Sequence, residues 1–151
     1  MLPQTGVTFS CDNAALQKLF DEAERKCLHN LKDFGADTVL VEGGGDEKIW
    51  LETQPMGGEM YWKRNMTAAM NNQLLFMRTQ RADGRIAGSI QCHPDGTIEP
   101  QFNKFQGFCF PLHALNMWYL SGKEPAYLDM LADCLEKFDA YLWKTRDSDG
   151  D

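Results

Sequence analysis

The chain has 151 residues, of which 43% are hydrophobic and 25% charged, and its net charge is −7. That length and balance fit one globular domain with a core of its own. Lys and Arg are scattered, with no more than two together, so there is no basic patch for nucleic acid, and no apolar run is long enough to span a membrane.

The opening segment MLPQTGVTFSCDN has neither the basic nor the apolar region of a secretory signal. The five cysteines show no CxxC spacing, and three of them, Cys27, Cys109 and Cys134, fall inside helical patterns. Buried free thiols fit a reducing compartment, so the expected location is cytoplasmic.

Asp12 is the predicted N-cap of a first helix. Its apolar face carries Leu16, Leu19, Phe20, Ala23, Cys27, Leu31 and Phe34, and Gly35 is placed as its stop. Residues 37–49 read as a loop, with or without an extended piece, around Val39-Leu40-Val41 and the glycines 43–45. A second helix is predicted over 58–80, with Met66, Ala69, Met70, Gln73, Leu74 and Met77 as its buried stripe. Residues 90–98 carry Pro94-Asp95-Gly96 between two extended pieces, which predicts a β-hairpin.

The third helix is predicted over 106–120, with Pro111 in its first turns. Pro125 begins a fourth, whose face carries Tyr127, Leu128, Leu131, Leu135, Phe138, Tyr141 and Leu142. The short link between them predicts an antiparallel αα-hairpin. The predicted class is all-α: antiparallel helical hairpins with a short β-hairpin insertion.

Chemistry concentrates at the entrance of the second helix. Glu59, Tyr61, Trp62 and Arg64 crowd its start, and spacing places Tyr61 and Arg64 on one face. A helix entrance offers free N–H groups, while aromatic rings with Arg and Glu supply the flat and multidentate surfaces that sugars need. Packing is the other open reading, with both aromatics in the core and Glu59 and Arg64 solvated. Gln106 opens the third helix in a comparable position.

The end of the chain, Asp147-x-Asp149-x-Asp151, has the alternate carboxylates of half a calcium loop, or of a plain acidic turn. His29, His93 and His113 lack zinc-site spacing, and Gly43-Gly44-Gly45 lacks the lysine of a phosphate loop.

Several segments together carry a family resemblance: WLETQPMGGEMY over 50–61, Asn71-Asn72-Gln73, QRADGR over 80–85, Gln106-Gly107-Phe108 and YLWKTRDSDGD over 141–151. In these the chain resembles bacterial six-hairpin glycosidases, relatives of trehalase and of the glucosidase and mannosylglycerate hydrolase group. The resemblance runs from about Asp12 to the end, and its most specific piece is the closing RDSDGD. It departs at Gly58-Glu59-Met60-Tyr61, where trehalase relatives carry a Trp-Asp pair.

The resemblance implies that residues 1–151 are the N-terminal portion of an (α/α)6 toroid. It implies an inverting glycoside hydrolase acting on a small oligosaccharide or glycoside, with its catalytic acid and base beyond Asp151. Trp50, Glu52, Glu59, Tyr61, Arg64 and Gln106 are the implied substrate contacts, and Asp147, Asp149 and Asp151 a loop that binds calcium in some relatives. The expected partners are a carbohydrate, and either the remainder of the toroid or a second copy of the chain. A sugar epimerase, isomerase or phosphorylase, and a non-catalytic helical interaction domain, are the competing functions.

Overall fold

In a computed structural model of the protein, residues 7–146 are described. The first helix, α1, spans Ala14–His29, capped by Asn13, whose side chain accepts from the Ala15 and Leu16 amides. It stops at Asn30, well short of Gly35. Leu31 and Phe34 continue the helical spacing in sequence but lie on a strand, β1 (Leu31–Phe34), which pairs antiparallel with β2 (Asp37–Leu40).

Two features turn this segment to strand. Gly35 takes φ 64° at the first position of a two-residue turn, a backbone sign glycine adopts at no steric cost. Beyond it, Val39 and Val41 are buried while Leu40 between them is half-buried, the period of an extended chain.

A second sheet, in the order β3-β4-β5, contains Ile49–Trp50, Ser89–Cys92 and Ile98–Gln101. Its β4-β5 hairpin turns on Pro94-Asp95-Gly96, as the sequence predicts. The all-α class is therefore corrected: about 52% of the protein is helix, and two small antiparallel sheets make it an α+β mix.

The helix predicted over 58–80 is two helices. Helix α2 spans Gln54–Tyr61 with a proline in its first turn, and α3 spans Met66–Arg78. Asn65 divides them: its side chain accepts from the Ala68 amide at 2.9 Å, capping a new helix instead of continuing the old one. Close packing of the two helices needs Gly58, where a Cβ would sit 3.1 Å from the Ala69 carbonyl oxygen. A short 3-10 turn, Gly107–Cys109, leads into α4 (Phe110–Leu120), and α5 spans Pro125–Arg146. The Tyr127 hydroxyl of α5 donates to the Ala114 carbonyl of α4 at 2.9 Å, which ties the predicted αα-hairpin together.

Helix α3 is the centre of the fold, buried on nearly every side. The core around it joins Phe76 and Phe110 to Val39, Ile49, Leu51, Ile90, Met117 and Leu131. Helix α1 contributes no buried residue.

Candidate functional site

Helices α2 and α4 run side by side in the same direction. Gln106 Nε2 donates to Glu52 Oε2, and seven residues further along both segments His113 Nδ1 meets Glu59 Oε2 at 2.6 Å. The equal step on both sides shows that the segments are parallel and in register. It corresponds to about two helical turns, or roughly 10 Å. Asn116 Nδ2 completes the lower contact by donating to Glu59 Oε1 at 3.0 Å. A polar seam thus runs between the two segments, whose exposed residues include Met56 and Met60 on α2, Phe108 on the 3-10 turn and Leu112 on α4.

Trp50 stands at the upper end of this seam. Its indole Nε1 donates to Asp46 Oδ2 at 3.0 Å, while Asp46 Oδ1 accepts from the Lys48 amide at 2.9 Å. The ammonium groups of Lys48 and Lys104 lie 5.6 and 4.9 Å from the Trp50 ring centroid, within cation–π range. Trp50, Asp46, Glu52 and Lys104 line an open pocket of about 280 Å³ with Glu42 and Gly43. Burial pushes the Cys109 thiol up, and the Glu52 carboxylate adds to the shift.

Four of the six residues expected to contact substrate therefore lie along one seam: Trp50, Glu52 and Gln106 together, and Glu59 further down. Tyr61 and Arg64 do not join them. Arg64 Nε pairs with Glu24 Oε1 of α1 at 2.5 Å, and Tyr61 is 4% exposed. Burial is the first cause that raises the Tyr61 hydroxyl above its usual range, with Cys27 and Glu24 adding to it. Tyr61 and Arg64 stay near one another despite the break between α2 and α3, since the Arg64 guanidinium is among the charges that act on the Tyr61 hydroxyl, but they face α1 and not the seam. Asp147, Asp149 and Asp151 lie outside the described residues. Among the described residues no group of acids, histidines and cysteines is placed to hold a metal ion, and no helix is long and apolar enough to cross a membrane.

His113, Asn116, Asp46 and Lys104 belong to the seam or its pocket without having been singled out by pattern. His113 and Asn116 carried a signal: they are the two polar positions, three apart, in the otherwise apolar FPLHALNMWYL. Asp46 and Lys104 carried none, because loop residues without periodicity are placed only by the fold. No protein-family model, curated protein or solved structure matches this chain.

Proposed function

We propose that this chain holds the sugar in a glycoside hydrolase of the inverting kind, acting on a small oligosaccharide or glycoside. The observation that carries the reading is the grouping of Trp50, Glu52 and Lys104 at one open pocket, with the Gln106 amide hydrogen-bonded to Glu52. An indole offers an apolar surface to the C–H groups of a pyranose ring. A carboxylate accepts from its hydroxyls, an amide both donates and accepts, and an ammonium donates. Resemblance to six-hairpin glycosidases in the same segments supports the assignment.

In this reading the chain binds and orients. Inversion needs two carboxyl groups about 6.5–9.5 Å apart with a water between them, one giving a proton to the leaving oxygen and the other activating the water.

The test is an NMR titration of the ¹⁵N-labelled chain with glucose, maltose and trehalose. The Trp50 indole N–H and the Gln106 side-chain amide are expected to shift on saturation with at least one of them. Trp50→Ala should lose the Gln106 response. Silence at both groups with every sugar, or an unchanged Gln106 response in the variant, overturns the reading.

A further inference from the structure

On the far side of Asp46 from the Trp50 pocket lies a larger cleft, of about 1160 Å³. Its walls are the β1-β2 hairpin, the glycine loop and the turn of the β4-β5 hairpin, contributing Lys32, Gly44, Gly45, Gln91 and His93 among others. Asp46 lines both spaces, so they meet at one side chain.

The charges around the cleft are answered inside the protein. Lys32 Nζ lies 3.0 Å from Glu47 Oε1, and His93 Nε2 2.6 Å from Glu99 Oε2. Lys48 Nζ donates to Gln101 Oε1 at 3.0 Å, and the Thr38 hydroxyl donates to Asp33 Oδ1 at 3.0 Å. A phosphate or nucleotide needs an excess of cations, and this wall does not present one. What it presents is a mixture of paired polar groups with the main chain of Gly44 and Gly45, both exposed at a loop tip. Such a surface suits an uncharged ligand with many hydroxyls. The volume is about four times that of the Trp50 pocket and exceeds the usual range for single-ligand sites, roughly 300–1,000 Å³, which leaves room for a ligand of several units.

We infer that the cleft is a second carbohydrate-binding region, and that the ligand is a neutral glycan chain with one end at Trp50 and its body passing Asp46 into the cleft. The inference rests on the carbohydrate reading of the Trp50 pocket and adds to it the length and path of the ligand. Asp46 is then a positioning residue: its two oxygens tie the indole to the loop that forms the cleft wall.

The experiment is a chain-length series. The labelled chain is titrated with glucose and with the malto- and cello-oligosaccharides from two to four units. In at least one series affinity should rise on the order of tenfold from glucose to the tetrasaccharide. The added units should shift the amides of Gly44, Gln91 and His93, and the double variant Lys32→Ala, His93→Ala should lose the gain. Glucose binding at Trp50 with affinity flat along both series, and the cleft amides silent, overturns this inference alone and leaves the carbohydrate reading standing. No response at Trp50 or in the cleft to any member, with Trp50 and Gln106 silent to trehalose as well, overturns both.

Discussion

Single side chains in this protein differ sharply in how much of their environment the sequence announces. Cys134 falls inside the helical pattern of the last helix as one of the thiols expected to be buried, and it is 2% exposed. Burial, with a smaller contribution from the Asp133 carboxylate, pushes its thiol up from 9.0 to about 12. In the unfolded chain the same thiol ionises near its ordinary value. Its contribution to stability is therefore complete below about pH 9 and is lost as pH rises from there towards 12. Two results are expected. Cys134 should be the last of the five cysteines to react with a water-soluble thiol reagent, at a rate that follows unfolding. Denaturant midpoints should fall between pH 8 and pH 11, less steeply in Cys134→Ala than in the parent. Early labelling at Cys134 would contradict its burial. Asp46 is the opposite case, since nothing in Gly-Gly-Gly-Asp announces that its two oxygens will be divided between an indole and a main-chain amide.

Among the elements, those set by local rules were legible and those set by competition were not. The β4-β5 turn, α4 and α5 follow from proline, glycine and an uninterrupted apolar period. The β1-β2 hairpin was concealed because Leu31 and Phe34 satisfy the helical spacing of α1 as well as they satisfy a strand. The deciding contacts come from elsewhere in the chain. Asn72 of α3, itself fully buried, accepts from the Leu40 amide and donates to the Leu40 carbonyl, both at 2.8 Å. Its side-chain amide stands where a third strand would pair with β2. Asn71 adds a bond to the Thr38 carbonyl at 3.0 Å, and Arg78 an ion pair to Asp37 at 2.8 Å. These amides look like helix-surface residues in sequence, and only the fold shows that their partner is a strand edge. Asn72→Ala strands two backbone groups at once. At about 1–3 kcal/mol for each unmet buried group, the expected loss is about 3 kcal/mol in chemical denaturation. Asn65→Ala removes only a helix cap and should cost about 1 kcal/mol. Equal costs for the two would mean that Asn72 is not what holds the hairpin to α3.

At the scale of the whole molecule the conspicuous quantity is apolar surface left outside the core. Met60 on α2 and Phe108 on the 3-10 turn before α4 are each 73% exposed, and Leu112 on α4 is 64% exposed. Leu16 and Leu19 are exposed on α1, a helix held by its Glu24–Arg64 pair and by no buried side chain of its own. Apolar residues scattered singly on a surface are ordinary, but a face carrying several of them marks contact with another molecule. The chain is expected to associate with itself in solution, with sedimentation showing species heavier than a monomer as concentration rises. Met60→Lys with Leu112→Lys should shift the distribution to monomer. Both positions are exposed, so fold stability should change by only about 0.5 kcal/mol. Leu19→Lys separates the two surfaces, because it disperses the oligomer only if α1 is the contact. A chain that sediments as a monomer at every concentration would mean that the exposed side chains of α2 and α4 do not act as one surface.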